Sequence, residues 1–122
     1  RDERVTTHAY HLYIFKYDSS KFNNVPKSEF IRALNAEGVP CSSGYNPLYK
    51  DDLFKAPIQK CPLSCGYYKG EVDYSKVYCP VTEKACSEEA IWLFQSMFLG
   101  TEDDMDDIVS AICKIKECFK KQ

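Results

Sequence analysis

The stretch from Ser43 to Pro80 dominates any reading of this chain: it shows neither helical nor strand periodicity, yet it holds Tyr45, Tyr49, Tyr67, Tyr68, Tyr74 and Tyr78. In compact domains, structureless connections longer than about 15 residues are lids, binding segments or disordered chain. Disordered segments are poor in aromatics. Residues 43–80 are therefore read as a surface segment that packs on something, with Tyr45-Asn46-Pro47-Leu48-Tyr49 near its start. The regular elements on either side are its scaffold.

Upstream, Tyr10 to Tyr17 alternates with a strand period, Tyr10, Leu12 and Ile14 on one side and His11, Tyr13 and Phe15 on the other. Both sides are aromatic or branched, so both are expected to be covered. C-terminal helices can cover one. The other, assigned to His11, needs the long connection or a surface outside the chain. His11 is a candidate binding residue there, against the simpler role of a histidine satisfied in the interior. Pro26 suits the first position of a helix whose stripe is Phe30, Ile31 and Leu34, and Gly38 stops it. A short strand is expected over Val39 to Ser42.

Downstream, Pro80 opens a helix kept short by Glu88 and Glu89, since acids at a helix C-terminus oppose its dipole. Ala90 to Leu99 reads as a buried strand closed by Gly100, the alternative for an apolar run of this length being a buried helical segment. Thr101 and Asp104 form a capping pattern ahead of the clearest helix, in which Met105, Ile108, Val109, Ile112, Ile115 and Phe119 make one apolar stripe. The acidic group Glu102, Asp103, Asp104, Asp106 and Asp107 is explained by cap and dipole chemistry rather than by a metal. Residues 1–122 thus predict a single α/β domain, an α+β two-layer sandwich: three or four mostly antiparallel strands with helices on one side.

A net charge of -2, from 16 basic and 18 acidic side chains, gives no reason to expect nucleic acid or an anionic membrane as partner. No run approaches the roughly 20 apolar residues of a membrane span. The first residues lack the apolar stretch of a signal peptide, and there is no initiator Met. A cytoplasmic protein, cut from a longer chain, is the expectation. Of the seven cysteines, Cys61, Cys65, Cys79 and Cys86 suggest a zinc site or a disulfide. Loose spacing and an odd total favour ordinary reduced thiols, with no metal. The scattered glycines form no phosphate loop or dinucleotide fingerprint, and no catalytic constellation is complete.

The order of these pieces carries a resemblance. His11-Leu12-Tyr13, the helix from Lys27 to Gly38, Tyr45 to Tyr49, Cys79-Pro80-Val81-Thr82-Glu83-Lys84-Ala85, Ile91-Trp92-Leu93, and Leu99 to Val109 together resemble the C-terminal part of the DegT/DnrJ/StrS aminotransferases. The resemblance covers nearly the whole chain. It implies the small domain of a fold type I pyridoxal-phosphate enzyme that passes an amino group from glutamate or glutamine to a keto-sugar, often nucleotide-linked, or a cyclitol. It also implies a large domain, outside this chain, that carries the cofactor lysine, and a homodimer. This fragment would then bind no pyridoxal phosphate and hold no catalytic residue; Lys21, in a turn, is no substitute. Tyr45 and Tyr49, with His11 third, are the residues the resemblance assigns to the substrate-facing wall. Phe94-Gln95 departs from the Pro-His often found after the position of Leu93, and a sugar dehydratase relative shares the same fold.

A competing class is a ferredoxin-like ligand- or RNA-binding module, with bases stacked on Tyr13 and Phe15. The negative charge and the missing basic, Gly-aromatic motif oppose RNA. A Cys-rich secreted protein is opposed by the missing signal and the odd cysteine.

Overall fold

The computed structural model describes residues 3–7, 11–55 and 73–121. In chain order its elements are β1 (Leu12–Lys16), α1 (Lys27–Ala36), β2 (Cys41–Ser42), α2 (Asp52–Lys55), α3 (Pro80–Lys84), β3 (Ala90–Phe94) and α4 (Glu102–Lys120), with short 3-10 turns between them. The strands form an antiparallel sheet in the order β1-β3-β2, with Phe15 opposite Ile91, Tyr13 opposite Leu93 and Cys41 opposite Leu93. Helices α1 and α4 lie on one face of it. The core between them is Tyr17, Phe30, Leu34, Val39, Cys41, Ile91, Leu93, Ala111, Ile115 and Phe119. This is the α+β sandwich, helices on one side, that the periodicities predict.

Local chemistry explains most of the element ends. Helix α1 closes in a Schellman motif: Gly38, at φ +88°, donates to the Asn35 carbonyl, and Val39 donates to the Leu34 carbonyl at 3.1 Å. Leu34 and Val39 are both in the core, which supplies the apolar contact of that motif. Asn35 then fixes the chain that follows. Its amide nitrogen donates to the Cys41 carbonyl at 3.0 Å and its amide oxygen accepts from the Cys41 N–H at 3.2 Å, as a neighbouring strand would. Thr101 and Asp104 form the expected capping box of α4. At the far end of α4, the Asn23 side-chain amide donates to the Phe119 carbonyl in the last turn at 3.1 Å. Among the described residues, Lys27 is the buried charged side chain: its Nζ donates to the carbonyls of Cys86 (2.5 Å) and Ala90 (3.2 Å), which ties α1 to the π-helical turn Ala85–Glu89 and the start of β3. Burial holds its pKa below the ordinary value of 10.5.

Four expectations need correction. The open face of β1 belongs to Leu12 and Ile14, whereas Phe15 packs on the core and Tyr13 meets the Phe98 ring at 4.9 Å. Tyr17 decides this. Its ring is buried and its hydroxyl bonds the Val25 carbonyl, so Phe15 and Tyr13 take its side of the sheet, Phe15 against the core and Tyr13 at its margin, 41% exposed. Second, β3 ends at Phe94 and the chain continues as a 3-10 turn, Gln95–Leu99. Phe94 pairs with Leu12, the first residue of β1, so the ladder has no partner for Gln95. Third, Val109 leaves the α4 stripe and is 56% exposed, while Ala111 is buried. At about 100° per residue, Val109 lies roughly 120° around the helix from Ile115. Fourth, Pro26 is the N-cap, one residue before the first helical position. Among the described residues, Cys41, Cys79, Cys86, Cys113 and Cys118 are free thiols, and burial pushes the Cys41 thiol up. The expectations for Tyr10, Tyr67, Tyr68, Cys61 and Cys65 lie outside the described residues.

Candidate functional site

The face of the sheet turned away from α1 and α4 carries Leu12, Ile14, Trp92 and Phe94, paired across the ladder as Leu12 with Phe94 and Ile14 with Trp92. Ile14 and Phe94 are 54% and 53% exposed. Beside them, His11, Leu12, Ser42, Gly44, Tyr45, Trp92 and Phe94 line a hollow of about 280 Å³. His11 precedes β1, so strand alternation does not govern it, and it reaches the open side rather than the face of Tyr13. Tyr45 stands edge-on to the Trp92 indole, ring centres 4.8 Å apart at 80°, a favourable aromatic geometry. Gly44 lets the loop lie this close: it sits at φ +72°, and a Cβ on it would fall 2.3 Å from Cε2 of Trp92.

The structure brings His11 and Tyr45 together at this hollow and places Tyr49 elsewhere. The Tyr49 hydroxyl donates to the Glu83 carboxylate, whose other oxygen accepts from Lys50 Nζ at 2.7 Å, and the Cys79 N–H donates to the same hydroxyl at 3.4 Å. The phenol thus clamps the 3-10 turn Leu48–Lys50 to the start of α3. Lys50 first and Tyr49 second hold the Glu83 carboxyl below its ordinary 4.5, while burial and the bond to Glu83 raise the Tyr49 phenol. A carboxyl lowered in the folded state stabilises the clamp above its unfolded value, and that support disappears as pH falls through the folded one. Tyr49→Phe is therefore expected to raise the Glu83 pKa toward 4.5 and to leave the fold intact. Carboxyl NMR against pH reads the shift, and an unmoved Glu83 would show that the hydroxyl does not support it.

Trp92, Gly44, Ser42 and Phe94 are site residues that sequence reasoning missed. Trp92 was absorbed into an apolar run, although its neighbours Ile91 and Leu93 are the buried ones and the period of two sends Trp92 to the opposite face. Among the described residues no group of three or more His, Cys, Asp or Glu is placed to hold a metal ion, and no helix is long and apolar enough to cross a membrane. The described residues that line the hollow include no lysine, the one side chain that binds pyridoxal phosphate covalently.

No family model matches the chain. Curated relatives do. Over 98% of its length the chain is 25% identical to a Streptomyces kanamyceticus protein provisionally named L-glutamine:3-amino-2,3-dideoxy-scyllo-inosose aminotransferase. Over 94% it is 29% identical to a protein of the same provisional name from Streptoalloteichus tenebrarius. Over 91% it is 30% identical to the L-glutamine:2-deoxy-scyllo-inosose aminotransferase of that organism. Along nearly its whole length, the chain is similar to part of each of these proteins named as aminotransferases. It spans 29%, 28% and 26% of the length of these three relatives, so an aminotransferase of their size has about a quarter of itself represented here.

Proposed function

We propose that the chain is the C-terminal small domain of a pyridoxal-phosphate-dependent aminotransferase of the DegT/DnrJ/StrS kind. The parent enzyme moves an amino group from glutamine or glutamate to a keto-sugar or cyclitol. The observation that carries this is similarity along nearly the whole chain to proteins named for glutamine donors and inosose acceptors. As the family resemblance implies, the cofactor and the lysine that holds it are assigned to a large domain outside this chain. When bound, it supplies the electron sink of transamination, and the protein orients it. The parent is a cytoplasmic homodimer in this proposal, and residues 43–80 form the mouth through which the acceptor enters. The contribution of the present residues is to cover and orient the acceptor: Tyr45, Trp92 and His11 wall the hollow, and the clamp at Tyr49 holds the loop that bears Tyr45.

The test is the visible absorbance of the full-length parent purified with pyridoxal phosphate. A cofactor band that shifts when glutamine is added is the expected result, with no turnover of any amino donor by the 122-residue chain alone. A parent with no such band would overturn the proposal and point to a dehydratase relative or to a separate binding module.

A further inference from the structure

We infer that Glu83 is a positioning residue for the hollow: by holding Tyr49 and Lys50 it sets where Tyr45 stands against Trp92. The inference rests on the acceptor role proposed above and names a residue that acts there through others. The stretch from Gly44 to Lys50 is a strap held at two points. One end lies on the Trp92 indole, through Gly44 and the Tyr45 ring. The other meets the two oxygens of a single carboxylate, the Tyr49 hydroxyl donating to Oε1 of Glu83 and Lys50 Nζ donating to Oε2 at 2.7 Å. An ionised carboxylate accepts at both oxygens, so one side chain fixes two consecutive residues of the strap.

The strap is stiff enough to carry a displacement from one end to the other. Pro47 is buried with φ held at -54°, and its ring biases Asn46 before it toward extended backbone. Leu48–Lys50 is a 3-10 turn, closed by the Lys50 N–H on the Pro47 carbonyl at 2.9 Å. Little freely turning backbone is left between Tyr45 and Tyr49. The base under the strap is stiff as well. Glu83 and Trp92 belong to one continuous run, α3, the π-helical turn and β3, which Lys27 ties to α1 through the carbonyls of Cys86 and Ala90. Loss of the Glu83 bonds leaves this base in place and frees one end of the strap, so Tyr45 moves off the indole.

Trp92 is the single tryptophan of the chain, so quenching of its emission by acrylamide, a neutral probe, reads how well Tyr45 covers it. Glu83→Ala is expected to raise the quenching constant about twofold with far-UV circular dichroism unaltered, a modest rise because bonds near the surface hold the strap only part of the time. Glu83→Gln keeps the side-chain length and one acceptor oxygen for Tyr49 but loses the charge that holds Lys50, so its rise should be smaller. Glu29→Gln, which removes the charge from an exposed pair with Arg32 on α1, should cause none. In the parent, Glu83→Ala should raise KM for a ketone acceptor about fivefold with kcat unchanged, the pattern of lost binding alone. Unchanged quenching in folded Glu83→Ala would overturn the inference, and so would raised quenching with an unmoved KM in an active parent. The reaction is tested apart from it: a parent without cofactor absorbance in which Glu83→Ala still uncovers Trp92 keeps the positioning role and removes the enzyme.

Discussion

Phe30→Ala is expected to cost about 3–5 kcal/mol of folding stability, the range for removing a fully buried ring. Phe30 is 0% exposed, and its ring centre lies 4.8 Å from that of Tyr17 and 5.0 Å from that of Phe22. These three rings join α1 to the turn after β1, and Tyr17 in turn sets which face of β1 is buried. A cavity at Phe30 therefore loosens two elements at once, and neither can close it without leaving the sheet. Single domains are stable by only about 5–15 kcal/mol, so the variant should lose much of its margin and about 10 °C or more of Tm. Val109→Ala, at an exposed position on the off-stripe side of α4, should stay within about 0.5 kcal/mol. Urea unfolding of both variants checks this, and a loss below about 1 kcal/mol for Phe30→Ala would remove the ring cluster from the centre of the fold.

The parts of the fold legible in sequence are those fixed by neighbours along the chain. Gly38 and the Thr101-Asp104 pair announce helix ends because the groups they satisfy lie within one turn. The α4 stripe is legible for the same reason, except where Val109 and Ala111 trade places: hydrophobicity names Val109, while helical geometry selects the smaller residue. What was not legible depends on partners far away. The choice of buried face in β1 turns on the burial of Tyr17 and on register with β3, some eighty residues on, and alternation alone is symmetric between the two faces. Strand β3 stops where β1 has no more residues to offer, a fact absent from the apolar run Ala90 to Leu99. The site followed the same divide. Tyr45 and His11 stood out as aromatic or titratable residues in unusual places, but their shared hollow exists only because β3 lies between β1 and β2 and carries Trp92 to the open face. The clamp of Tyr49 on Glu83 crosses residues 56–72, and no local signal joins its ends.

Gly44→Ala is expected to dismantle the hollow while sparing the core. Two costs fall on one methyl group. At φ +72° an L-residue costs about 1–2 kcal/mol relative to its preferred backbone. The new Cβ would also lie 2.3 Å from Cε2 and 2.6 Å from Nε1 of Trp92, which no side chain tolerates, and relieving such overlap costs about 1–3 kcal/mol. The backbone of β3 cannot yield, because Ile91 and Leu93 on either side of Trp92 are packed in the core. Relief must come from the indole and from the loop bearing Tyr45, so the edge-on pair separates. Trp92 emission should then shift, and far-UV circular dichroism should hold its shape, since no core residue has moved. In the parent enzyme the same substitution should raise KM for the acceptor and leave the absorbance of bound cofactor in place. Unchanged Trp92 emission would mean that the loop relaxes freely at Gly44, and that the wall of the hollow is set by some other contact.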